Sequence, residues 1–202
     1  MQATASKQAR IVIAGVLDTF ATGEPAMVFD GADDAYLSES AIAFASPAAT
    51  ILLAMEKLNC TTGIILEHGP APLLGGFSMI ANYSAGVSDG CAFASDASNY
   101  GFSDAVTGAL APKLYPLLLD IAGASADARA RMRFNGTDVD ESQIADAGVT
   151  GAGALVSEIM YIGGRGASEV YYNGKLHTAL AYNTLRADIA AIEAVIQLWI
   201  VP

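Results

Sequence analysis

The stretch "ARARMRFNG", Ala128–Gly136, decides the fold class. Ala128, Ala130, Met132 and Phe134 fall on one side of an extended chain, and Arg129, Arg131 and Arg133 on the other, because strand side chains alternate with a period of two. A helix would scatter the three arginines around its axis. The Asn135-Gly136 pair that follows accepts positive φ at both positions, which a tight two-residue hairpin requires. The stretch therefore predicts a half-buried antiparallel strand closed by a turn.

The same punctuation recurs along the whole chain. Strand-like runs occur at Arg10–Ala14, Ala26–Asp30, Ala35–Leu37, Thr50–Leu58, Gly63–Glu67, Gly76–Asn82, Ala92–Ser95 and Tyr100–Phe102. Further runs follow at Lys113–Ile121, Ile159–Ile162 and Gly174–Ala181. Turn-forming clusters such as "DGADD", "HGPAP", "SDG", "GGRG" and "YNGK" separate them. Many short strands with regular turns predict an all-β, antiparallel two-sheet sandwich.

One segment has a different period. Leu185, Ile189, Ile192, Val195, Ile196 and Trp199 share a helical face, which predicts a C-terminal helix over Leu185–Val201. Asn183 or Thr184 would cap it. Ile189, Ile192 and Trp199 would dock it, leaving Arg186, Asp188, Glu193 and Gln197 in solvent. With no internal repeat and no linker, the expected organisation is a single domain over residues 1–202. It comprises an arm and first strand (1–25), the sandwich (26–183) and the helix (184–201).

Composition limits the function. Hydrophobic residues make up 53% of the chain and charged residues 15%, against about 25% charged in typical soluble domains. No apolar run has the length of a membrane span, so no membrane partner is expected. The excess is assigned to a core and to subunit contacts, which predicts a homo-oligomer. A net charge of −11 repels a phosphate backbone and argues against nucleic-acid binding. The amino terminus "MQATASKQARIVIAGVLD" lacks the basic and apolar regions of a signal peptide. Cys60 and Cys91 match no metal spacing and read as buried thiols, with a disulfide as the alternative in an oxidising setting. The sequons at Asn59, Asn82 and Asn135 read as chance matches.

Several chemistries fail on their own terms. "GVSDG" (Gly86–Gly90) matches a nucleophile elbow, yet Ser88 precedes strand and turn sequence where that motif needs a helix. His68 and His177 have no ligand partner at helical spacing and read as exposed or strand-edge residues. Glu67 beside His68 would make an acid–base pair, but neighbours in a strand face opposite sides. "GGRG" around Arg165 reads as a hairpin connection, with an anion nest as the alternative. No cofactor is expected. Asp30, Asp33 and Asp34 are the calcium candidates, with Asp138, Asp140 and Glu141 as a second cluster; neither forms the linear calcium loop.

Three segments in order resemble a known family. "MVFDGADDAYL" resembles the opening of laminin-G-like, concanavalin A-like jelly-roll domains, "ARMRFNGTDVD" their central hairpin, and "MYIGGRGASEVYYNGKLHTALAYNTLRADIAAIEA" their closing strands and helix. The resemblance spans about Met27 to Val195 and implies a concanavalin A-like jelly roll. The glucanases of that family carry an E-x-D-x-x-E strand that this chain lacks, so no enzymatic activity is expected. The Ala- and Thr-rich style resembles versions found in bacteriophage structural proteins. The resemblance thus implies a virion protein, most specifically a capsid decoration protein on the particle surface, made in the host cytoplasm and contacting the capsid shell or tail. The alternative is a glycan-binding module of a phage tail or secreted host-recognition protein. Tyr83, Tyr100, Tyr171 and Tyr172 would be its aromatic platforms for a cell-surface glycan. Arg129, Arg131 and Arg133 are either a solvated face or a contact to an acidic neighbour.

Overall fold

A computed structural model describes residues 8–10, 12–13, 16–20, 23–44, 47–59, 61–69, 76–84, 88–94, 99–103, 112–120, 130–138, 144–145, 155–165 and 170–200. Among the described residues, seventeen strands and one helix follow one another. They are β1 (Val12–Ile13), β2 (Val16–Leu17), β3 (Met27–Asp30), β4 (Tyr36–Leu37), β5 (Ile42–Ala43) and β6 (Ala48–Lys57), then β7 (Gly63–His68), β8 (Phe77–Ser84), β9 (Ser88–Ala94), β10 (Asn99–Ser103) and β11 (Lys113–Asp120). After them come β12 (Ala130–Phe134), β13 (Thr137–Asp138), β14 (Ile144–Ala145), β15 (Ser157–Glu158), β16 (Met160–Ile162), β17 (Asn173–Tyr182) and α1 (Ile189–Ile200).

Two antiparallel sheets form the body. One has seven strands in the order β14-β10-β9-β8-β7-β16-β4, the other six in the order β13-β12-β11-β6-β17-β3. The chain crosses between the sheets, as where β16 beside β7 leads to β17 beside β6, and forms an all-β jelly-roll sandwich with a C-terminal helix, as the strand pattern predicted.

Period-two alternation builds the core. On β6 the residues Ala49, Ile51, Leu53 and Met55 face the opposing sheet, where they meet Phe77, Met79 and Ala81 of β8. On β11 the matching set is Tyr115, Leu117 and Leu119. The other faces of these two strands are buried as well. Leu52, Ala54, Leu114 and Leu118 pack under Ile189, Ile196 and Ile200 of α1 and beside Phe20 and Ala26 of the N-terminal segment. Strands covered on both faces read as continuous apolar runs, which is why "TILLAM" carries no alternation.

The hairpin at Asn135-Gly136 has φ of 44° and 86°, the positive pair its sequence demanded. Met132 is buried and Arg131 exposed, as alternation required. The helix departs from expectation. It starts at Ile189, not Leu185, and docks through Ile189, Glu193, Ile196 and Ile200, while Trp199 is 43% exposed. The Thr50 hydroxyl explains the late start. It donates to the Thr184 carbonyl at 2.9 Å and accepts the Arg186 N–H at 3.0 Å, holding 184–186 in a non-helical connection. Asp188 then starts the helix: its carbonyl accepts from Ala191, and its carboxylate takes a bidentate bond from Arg186.

Candidate functional site

The outer face of the seven-stranded sheet carries a polar row that a bulge creates. In β7 the register slips between Ile64 and Leu66, so Ile65 and Leu66 both enter the core. Alternation resumes one step out of phase: Glu67 turns to the outer face, and His68 turns inward. Glu67 stands in register with Ser78 of β8 on one side and Tyr161 of β16 on the other. Since Phe77 and Met79 face the core, Ser78 shares the outer face with Glu67; Met160 and Ile162 place Tyr161 there likewise. Past Ser78 the register continues through Ala92, Gly101 and Ala145, none larger than alanine.

Arg165 completes the row. Its Nε lies 3.3 Å from Glu67 Oε1, with Glu67 1% and Arg165 28% exposed by side chain. The turn that delivers it depends on Gly163, which has φ 88° and whose Cβ, if added, would sit 2.3 Å from the Phe29 ring. The Gly163 N–H donates to Ile65 O, and Gly163 O accepts the Tyr172 N–H. Ser78 differs from its neighbours: it is buried and its hydroxyl makes no hydrogen bond. Leaving a buried hydroxyl unsatisfied costs about 1–3 kcal/mol. Ring, carboxylate, guanidinium and unsatisfied hydroxyl thus lie together on one sheet face.

The turn after β3 is a second polar cluster, and one oxygen from each of Asp30, Asp33 and Asp34 lies within 4.8 Å of the others. Asp34 is buried, and that desolvation raises its carboxyl above the usual range, opposed by the Asp30 N–H that its Oδ2 accepts at 2.9 Å. Asp30 Oδ1 accepts from Ala32, and Asn173 Nδ2 donates to Asp30 O. Hard carboxylate oxygens suit calcium, which takes six to eight of them. Two of the six oxygens here are already engaged by backbone N–H groups, so the turn fits a calcium ion only in part.

The other candidates separate. Tyr172 is no glycan platform: it is buried against Phe29 and its hydroxyl donates to Glu56 O at 2.7 Å. Tyr171 is half-buried and its backbone bridges Ile64. Tyr83 lies in β8 and Tyr100 in β10, and their side chains fall outside the described residues. So do Arg129, Cys60, Asp140 and Glu141 as a whole. Ser88 opens β9 opposite Ser84, a hairpin position and no nucleophile elbow.

Two expectations are corrected. His68 is neither exposed nor at an edge. It is fully buried, stacked on Phe77 and edge-on to Phe44, with Nε2 3.1 Å from Ile42 O. Arg131 and Arg133 both reach the Asp138 carboxylate. Arg133 bonds Glu193 of α1 at 2.8 Å, Asp138 at 2.7 Å and Gly136 O at 2.7 Å, whereas Arg131 is half-exposed and 3.8 Å from Asp138. Glu193, expected in solvent, is the buried acid that answers Arg133. Tyr161 and Ser78 were missed because nothing in a local window marks the bulge that aligns them.

No protein-family model and no curated protein sequence matches the chain. Solved structures do match it in fold. The heptameric SAP-like pentraxin of Limulus polyphemus superposes with a TM-score of 0.58 at 13% identity, covering 81% of this chain and 78% of that one. The CBM40 carbohydrate-binding module of the Ruminococcus gnavus IT-sialidase, bound to α2,3-sialyllactose, gives 0.53 at 13% identity over 75% and 84% of the two chains. The Trypanosoma rangeli sialidase gives 0.55 at 16% identity, with 84% of this chain matching 27% of that enzyme. These likenesses establish a jelly-roll β-sandwich fold.

Proposed function

We propose that this chain is a non-enzymatic carbohydrate-binding module whose site is the Tyr161–Glu67–Ser78 row with Arg165. The observation that carries the reading is the partly exposed Tyr161 and Arg165, set on one sheet face around the Glu67 carboxylate that Arg165 bonds. A sugar suits the accessible part of such a row: its oxygens accept from a guanidinium, while a tyrosine ring covers an apolar sugar face. The lectin-like fold supports the same reading, since its neighbours include a module bound to a sialylated sugar. The other reading raised by the sequence, a capsid decoration protein on a bacteriophage surface, draws its support from sequence style alone.

A glycan array including neutral and sialylated sugars tests the proposal, run in about 1 mM calcium and again in chelator. Binding is expected to fall at least about tenfold in Tyr161→Ala and Arg165→Gln, each loss worth about 1.4 kcal/mol. Ser78→Ala separates binding from stability. Removing an unsatisfied hydroxyl should raise the unfolding free energy by about 1 kcal/mol, while glycan affinity stays as in the parent, since a ligand does not reach the buried hydroxyl. Tyr161→Ala and Arg165→Gln variants that both bind like the parent would sink the site.

A further inference from the structure

Arg165 is the cation of the candidate row, and the fold already balances it with an acid. Its Nε lies 3.3 Å from Oε1 of Glu67, whose side chain is 1% exposed against 28% for Arg165. The pair sits on the outer face of the seven-stranded sheet, one step along the strands from the apolar group of Ile64, Ile80 and Val170. The turn that carries Arg165 does not offer the Gly163 N–H to an anion, because that group donates to the Ile65 carbonyl at 3.0 Å. A ligand arriving at this face therefore meets the outer edge of a neutralised ion pair next to the half-buried Tyr161.

We propose that the row takes neutral sugars and rejects acidic ones, such as those ending in a sialic or uronic acid. The inference rests on the carbohydrate-binding reading of the same residues and adds the class of sugar. A ligand carboxylate has two routes to Arg165, and both are unfavourable. If it displaces Glu67, that acid stays in the interior without its cation, which is the costly half of breaking a buried pair. If it shares the guanidinium with Glu67, two carboxylates crowd one cation, and like charges that close disfavour the ionised form. A hydroxyl or ring oxygen meets neither obstacle. It accepts from the guanidinium with Glu67 left in place, while the uncharged ring lies against Tyr161. The field of the whole chain acts in the same direction. Its 21 acidic and 10 basic residues leave a net charge of −11, and a negative field lowers the local concentration of an anion.

Matched pairs on one glycan array test this: each neutral oligosaccharide beside the same oligosaccharide with a terminal acid, as lactose beside α2,3-sialyllactose. Titration calorimetry of the full chain then measures every pair that gives a signal. The parent should bind the neutral member at least about tenfold more tightly. That affinity should hold from about 0.05 to 0.5 M salt, because no ionic contact with the sugar is made. Glu67→Gln keeps the shape of the side chain and removes the balancing charge. It should raise affinity for the acidic member at least about tenfold, and the gain should shrink as salt rises. The parent comparison decides the matter even if this variant, followed by its melting curve, does not fold. A parent that binds the acidic member as tightly as the neutral one overturns the neutral-sugar assignment and leaves the carbohydrate site standing. A folded Glu67→Gln variant with no gain for the acidic member overturns the assignment as well. Binding to no sugar at all removes the carbohydrate reading and this inference with it.

Discussion

Arg133 shows how one residue ties three elements together. From β12 its guanidinium reaches Glu193 on α1, Asp138 on β13 and the Gly136 carbonyl in the turn. Desolvation alone would lower its pKa; the hydrogen bond and charge of Glu193, with Asp138 behind them, raise it. Arg133→Gln strands the Glu193 carboxylate in the interior, and removing one member of a buried pair costs about 3–5 kcal/mol. Arg131→Gln should stay within about 0.5 kcal/mol, since it is half-exposed. Urea melts of the two variants check the contrast. His68 is the second instance. Ile42 O requires a donor, so Nε2 carries the proton, and Nδ1 has no partner. Burial lowers its pKa below 6.5, although the Ile42 bond and Glu158 raise it in part. The unfolded chain therefore takes up a proton first as pH falls from 6.5, and stability is lost from there down to the folded-state pKa. Melting temperature should drop between pH 7 and 5, with a shallower slope in His68→Phe.

At the scale of elements, α1 is held by a different set of residues than its periodicity names. Ile196 is 3% exposed and packs against the six-stranded sheet, while Trp199, larger and more apolar in appearance, is 43% exposed. Ile196→Ala should cost about 2–5 kcal/mol through the cavity it leaves. Trp199→Ala should cost less than Ile196→Ala, reversing the order that side-chain size suggests. Thermal unfolding of the pair reads this directly. The β7 bulge acts in the same way on the other sheet. One extra residue between Ile64 and Leu66 exchanges the faces of Glu67 and His68, sending the acid to the outer face of the sheet, where it is buried beside Arg165, and the imidazole to the core.

On the scale of the whole molecule, the sandwich needs its outer cover. Leu52, Ala54, Leu114 and Leu118 lie on the outer face of the six-stranded sheet and are buried under α1 and the N-terminal segment. Deleting residues 185–202 should expose that face. The shortened chain is expected to bind a hydrophobic dye and aggregate, whereas the parent does neither at the same concentration. The larger sheet uses its outer face differently, for the Glu67–Arg165 row. The two sheets thus divide the molecule: one outer face is sealed by a helix, the other carries the candidate site.

Alternation and turn chemistry made much of the fold legible in the sequence. "ARMRFNG" defined its strand, inner face and hairpin because period two and positive φ are local requirements. The other long strands lie where their apolar runs and turns placed them, except that β9 begins at Ser88, inside the "SDG" that reads as a turn. The two-residue strands Ile42–Ala43 and Ser157–Glu158 left no such trace, being too short to carry a period. What local sequence does not encode is which face of an element another element will cover. Glu193 reads as a solvent residue until Arg133 is brought over it from 60 positions away. Tyr172 reads as an exposed platform until Phe29 and Glu56 close around it. Glu67, Ser78, Tyr161 and Arg165 become one row only through strand register and a bulge. These are long-range pairings, in which burial and partner are set by the packing of distant segments, and that is why only the tertiary structure brings the candidate site together.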